Sequence, residues 1–123
     1  MISFEDFRME DGSPIYLQIL RYIKRGVVAG SIGDGAELPS RRVLSALLGV
    51  NPNTVQKAYH LLEEEGLVQS RSGAKSFVVL NETQAAQVRA ELLESETKAA
   101  IAALRQMGVS KEEALTFMDL YWE

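Results

Sequence analysis

Eighteen residues, Leu38 to Val55, constrain this chain more tightly than any other stretch. They read Leu38-Pro39-Ser40-Arg41-Arg42-Val43-Leu44-Ser45-Ala46-Leu47-Leu48-Gly49-Val50-Asn51-Pro52-Asn53-Thr54-Val55. Ser40 is a strong helix N-cap, because its hydroxyl can accept from an orphan N–H of the first turn. Gly49 supplies the left-handed conformation that a tight interhelical turn needs. Asn51 caps a further helix, with Pro52 at the first position, where a missing N–H costs nothing. Helix, glycine turn and second helix form a helix-turn-helix, a unit whose second helix sets its N-terminal residues against base edges in the DNA major groove.

The flanking residues complete a small domain. Pro14 opens an amphipathic helix through Arg25, with Ile15, Ile19, Tyr22, Ile23 and Val27 on one stripe. Glycines 26, 30, 33 and 35 are expected to stop it and form a loop. The spacing places Val43, Leu44, Leu47 and Leu48 on the core side of the second helix. At about 100° per residue, Val55, Ala58, Tyr59 and Leu62 share one side of the third helix. Asn53, Gln56, Lys57 and His60 lie opposite, with Thr54 at the border. That outer face is amide, amine and imidazole, with no carboxylate before Glu63, and such groups can read base edges or phosphates. Taken alone it would more often be a solvated helix face; the helix-turn-helix spacing reverses that preference.

Gly66 ends the third helix, and two β-rich runs follow, Leu67–Ser70 and Ser76–Leu80, around a glycine. They read as a hairpin, which directly after a recognition helix is a wing. Its tip carries Arg71 and Lys75, placed to meet phosphate or a minor groove, or else simply two solvated turn charges. From residue 81 the character changes. Asn81 or Thr83 can cap a long alanine-rich helix ending at Gly108, and Ser110-Lys111-Glu112-Glu113 is a capping box for a last helix. Two helices alone are too few to bury their apolar surface. They must cover it on the winged domain or on a second copy, and self-association through Val88, Leu92, Ala99, Ala103, Leu104, Phe117 and Tyr121 is the preferred reading. The fold expected is mainly α with a small β-hairpin: a winged helix-turn-helix over residues 1–80, including a short lead 1–13, then a helical dimerisation segment over 81–123.

The net charge of −4 fits a nucleic-acid binder only once it is divided. Residues 1–13 carry −3, residues 14–80 carry +3 and residues 81–123 carry −4, so positive charge concentrates where phosphate must be met. Zero cysteines exclude disulfides and thiolate metal sites and suit a reducing compartment. No apolar run approaches the roughly 20 residues that span a bilayer. The lead is acidic where a signal peptide is basic, so a cytoplasmic location without membrane attachment is expected. His60 is the one histidine, and a lone histidine builds no multi-histidine metal site. No catalytic constellation and no phosphate loop occur; neither an enzyme nor a cofactor is expected.

From Pro14 to Val79 the chain resembles the GntR family of bacterial transcription regulators, and its short YtrA-like branch in particular. The resemblance rests on Pro14-Ile15-Tyr16 with Gln18-Ile19, Gly30 and Gly35 before Leu38-Pro39-Ser40, then Arg42 and Leu44. It continues through Gly49 to Val55, Ala58-Tyr59, Leu62, Glu65-Gly66-Leu67-Val68 and Phe77-Val78. It implies a homodimeric repressor on an inverted-repeat operator, with a neighbouring transporter operon as target. By the same resemblance Arg42 meets DNA backbone or base edges, Asn51, Asn53, Thr54 and Gln56 make further contacts, and Gly73 approaches the minor groove. Two positions depart from the family pattern: Arg41 stands where an acidic residue is frequent, and Lys75 where the wing usually has a second glycine. The full DNA-contacting set expected is Ser40, Arg41, Arg42, Asn51, Asn53, Thr54, Gln56, Lys57, His60, Arg71, Gly73 and Lys75. The competing reading is a winged helix that binds a protein partner. A small-molecule effector stays open, since Phe117, Tyr121 and Trp122 could line a small pocket, although dimer packing is their favoured use.

Overall fold

In the computed structural model, which describes residues 1–71 and 75–123, the element order is α1 (Ile15–Ala29), β1 (Glu37–Leu38), α2 (Arg41–Leu48), α3 (Pro52–Glu64), β2 (Val68–Arg71), β3 (Lys75–Val78), α4 (Glu82–Gln106) and α5 (Lys111–Tyr121). The caps are those the sequence names. Ser40 Oγ accepts from Val43 N at 3.1 Å, and Asn51 Oδ1 from Asn53 N at 2.8 Å. Gly49 closes α2 at φ +69°. Asn81, rather than Thr83, starts α4: its Oδ1 accepts from Gln84 N at 2.8 Å and Gln84 Oε1 accepts from Asn81 N at 3.2 Å. This reciprocal box satisfies two donors that a helix start would otherwise leave orphaned.

The hairpin is one strand short of the observed sheet. β1 pairs antiparallel with β3, and the order is β1-β3-β2, with Glu37 opposite Phe77 and Val68 opposite Val78. A strand of two residues is too short to show the alternation by which strands are read from sequence. The helix α1 also runs past its expected stop, through Gly26 to Ala29, and Gly30 at φ +83° ends it. Gly26 is needed for packing instead. A Cβ there would collide with Ile32 Cδ1 and lie 2.8 Å from Ile32 Cγ1, so its lack of a side chain lets Ile32 close over the helix.

A second correction concerns α2. Val43 is 55% exposed and Leu47 66% exposed, while Leu44 and Ser45 are buried and Leu48 is half-buried. The inward face therefore follows 41, 44, 45 and 48, rotated from the expected one. Ser45 tolerates burial because its hydroxyl donates to the Arg42 carbonyl at 3.1 Å. The rotation has a consequence for the arginines, since it turns Arg41 inward and Arg42 outward.

The acidic lead belongs to the core. Phe4 and Phe7 are buried, and both rings meet Tyr22 of α1, at 4.8 Å stacked and 5.4 Å edge-on. Tyr22 Oη donates to the Ser3 carbonyl at 2.8 Å, and Ile2 N to the Glu37 carbonyl at 2.8 Å. Chain contacts divide the molecule into two units, Met1–Arg89 and Ala90–Glu123. The first holds one core of Ile19, Ile23, Leu44, Val55, Tyr59 and Leu62 with their neighbours, and Val88 of α4 joins it. In the second unit Gly108 at φ +73° ends the long helix, Ser110 Oγ caps α5 by accepting from Glu113 N at 3.2 Å, and no residue is buried. None of the described helices is long and apolar enough to cross a membrane.

Candidate nucleic-acid interface

The recognition helix has the two faces its periodicity requires. Val55, Ala58, Tyr59 and Leu62 are fully buried, whereas Asn53, Gln56, Lys57 and His60 are exposed and Thr54 is half-exposed. Tyr59 anchors the helix: its hydroxyl donates to the buried Pro39 carbonyl at 2.7 Å. The loop into α2 is thereby tied to the middle of α3. Burial raises the Tyr59 pKa well above the ordinary tyrosine range, and the nearby Arg41 guanidinium opposes that rise only in part. With its folded pKa above the unfolded value near 10, Tyr59 contributes stability that is complete below about pH 10 and lost as pH climbs from there. Tyr59→Phe should lower stability by about 1–3 kcal/mol at neutral pH, because the Pro39 carbonyl loses its donor. The same variant should show a flatter alkaline limb between pH 9 and 11 in denaturant melts. Equal alkaline sensitivity in both proteins would remove Tyr59 as its source.

The basic side chains differ in how far they are committed elsewhere. Lys57 Nζ sits 4.0 Å from the Tyr16 ring centroid, and the Arg71 guanidinium 4.7 Å from that of Phe77. His60 Nε2 lies 2.7 Å from Glu64 Oε1 one turn along the helix. Arg41 Nη2 is 3.6 Å from Glu63 Oε1, and its guanidinium 5.8 Å from the Tyr59 ring. Arg42 and Lys75 are exposed, and among the described residues neither side-chain charge has a partner. Ser40 and Asn51 spend one acceptor each on capping, leaving the Ser40 hydroxyl proton and the Asn51 amide donors for other use. Two features thus converge at the start of α3: uncharged donors and acceptors on its outer face, and the positive end of the helix dipole.

The expected site residues fall into three groups. Ser40 and Arg42 stand at the start of α2; Asn51, Asn53, Thr54 and Gln56 stand at the start of α3, and Lys57 and His60 extend the same face of α3. Arg71 and Lys75 face each other across the wing, where the register pairs them directly. Gly73 lies outside the described residues. Sequence reasoning missed Glu63, which accepts from Ser70 Oγ at 2.8 Å besides facing Arg41. The i,i+4 spacing of His60 and Glu64 was available as a signal for their pairing. Nothing local points Glu63 to a strand seven residues later.

A recognition helix with a polar outer face, braced by a preceding short helix and followed by a two-stranded wing, defines a winged helix-turn-helix DNA-binding protein. The model for the bacterial regulatory proteins of the gntR family matches residues 15–78, and the chain belongs to the GntR family, in its short YtrA-like branch. It is similar to the HTH-type transcriptional regulator YhcF of Bacillus subtilis (strain 168), at 29% identity over 118 residues, 96% of this chain and 98% of that protein. The HTH-type transcriptional repressor YtrA of the same strain is 32% identical over 102 residues, 82% of this chain and 78% of YtrA. A GntR family transcriptional regulator from Listeria monocytogenes has a similar structure, with TM-score 0.74 at 30% identity over 90% of this chain and 97% of that one. Proteins of this family are transcriptional regulators and not enzymes, and this chain is a DNA-binding transcriptional regulator.

Proposed function

We propose that the protein is a cytoplasmic homodimeric repressor that binds an inverted-repeat operator, with a neighbouring transporter operon as its target. The observation that carries the dimer is the bare surface of the second unit. Between Ala90 and Glu123 no side chain is buried, yet Leu93, Ile101, Phe117, Leu120, Tyr121 and Trp122 are all exposed. Large apolar side chains left exposed in such number mark an interaction site, and a second copy is the partner always present with the same side chains. A twofold pairing then presents two recognition helices, as a palindromic operator requires. Leu92, Ala99, Ala103, Leu104, Phe117 and Tyr121 remain in the proposed interface. Val88 leaves it, since the core of the first unit already covers that side chain. Repression is supported by similarity to the repressor YtrA, and the transporter target by the branch resemblance alone.

The test combines mass with footprint. Sedimentation velocity on the full chain should give the dimer at micromolar concentration, and fragments selected from genomic DNA should show two protected half-sites about one helical turn apart. Binding should weaken steeply with salt, at about −0.9 in log–log slope per phosphate neutralised. A monomer protecting one half-site would sink the dimer, and a flat salt response would favour a protein partner over DNA.

A further inference from the structure

We infer that Arg41 and Glu63 form a brace that holds the wing at its angle to the recognition helix, making Arg41 a positioning residue and leaving phosphate contact to Arg42. This deepens the operator-binding reading and rests on it. The two arginines are adjacent on α2, but a rotation of about 100° separates them. Arg41 falls on the inward face with Leu44, Ser45 and Leu48, and its side chain is 29% exposed. Its Nη2 faces Glu63 Oε1 at 3.6 Å, its guanidinium lies beside the Tyr59 ring, and its Nε is buried without a hydrogen-bond partner.

Glu63 joins this corner to the wing. The same Oε1 that faces Arg41 accepts from Ser70 Oγ at 2.8 Å. One carboxylate oxygen thus links the start of α2, the last turn of α3 and strand β2. Ser70 directly precedes Arg71, which the hairpin register sets opposite Lys75, so the brace lies at the root of the two wing cations. A guanidinium swung out to phosphate would abandon both Glu63 and the Tyr59 ring. Arg42 has neither tie and is free to meet a phosphate.

The experiment uses the full chain with Arg41→Ala, Arg41→Lys, Glu63→Gln and Arg42→Ala. The probes are a duplex selected from genomic DNA by the unaltered protein and a random-sequence duplex of equal length. A phosphate contact contributes equally to both probes and to the salt slope; a brace acts on discrimination between them. Arg41→Ala and Glu63→Gln should each lower the ratio of the two affinities by about tenfold, with the salt slope on random duplex unchanged. Arg41→Lys should keep most of the ratio. Arg42→Ala should flatten the slope by about 1.8 per dimer, at about 0.9 for each phosphate lost. An unchanged ratio in Arg41→Ala overturns the brace, and a slope flattened as in Arg42→Ala would make Arg41 a phosphate contact instead. If Arg41→Ala fails to fold, an unchanged ratio in Glu63→Gln does so equally.

Amide exchange at Gln69 to Arg71 in the free protein supplies a readout independent of DNA. It should quicken in Glu63→Gln, and no change there overturns the brace. Should the unaltered protein fail to discriminate the two duplexes, the operator reading falls and the exchange rates alone decide the brace.

Discussion

Replacing Phe117 and Leu120 together by aspartate is expected to break the proposed dimer into monomers and to weaken operator binding by about 10²- to 10⁴-fold, the range by which joining two sites exceeds one alone. Both side chains are open to solvent within one chain, Phe117 at 53% and Leu120 at 67% exposure. The monomer should therefore fold as before, because exposed substitutions away from special features usually change stability by about 0.5 kcal/mol or less. In a dimer the same positions would bury four carboxylates, two from each copy, in apolar surroundings, and each unpaired buried charge costs several kcal/mol. Sedimentation velocity and a binding isotherm on the same preparation check both halves of the result. A variant that stays dimeric places the contact surface elsewhere on α4 or α5; one that is monomeric yet binds at full strength shows that pairing is not what gives affinity.

Arg42→Ala should have the second large effect. Charge-assisted hydrogen bonds are worth about 1.5–3 kcal/mol, and a twofold complex loses each contact twice. The expected loss is therefore roughly 10²- to 10⁴-fold, with the salt slope flattened. Gln56→Ala makes the contrast. Exposed in the middle of the outer face of α3, it should lose discrimination at one base pair per half-site, worth about 1–3 kcal/mol each, and leave the salt slope alone. Electrophoretic mobility shifts against single-base operator variants separate the two. Arg42→Ala binding with undiminished affinity would remove that residue from the interface, whatever its exposure.

Much of the DNA-binding unit was legible because its signals are local. Ser40, Gly49, Asn51 and Pro52 act on N–H groups and dihedrals within three residues of themselves, so their identity is enough to set helix starts and stops. The two faces of α3 followed from the helical period, and all four residues assigned to its inner side are fully buried. The same arithmetic misjudged α2, because eight residues with three leucines, a valine and an alanine support more than one apolar stripe. Which stripe faces inward depends on what lies across from it. Tyr59 and Glu63 lie across from it, and they take in Arg41 and leave Val43 and Leu47 outside.

The amino-acid sequence by itself determined where the helices begin and end around the turn, which side of the recognition helix is polar, and where positive charge gathers. Those properties depend on neighbours along the chain. Only the tertiary structure decided that Gly26 lies inside a helix under Ile32, that Phe4 and Phe7 close on Tyr22, that Glu37 and Leu38 add a strand to the wing, and that one of two adjacent arginines turns inward. Each of these pairs residues separated by six to about forty positions, and such a partnership is selected by packing the whole core at once, which no local period encodes.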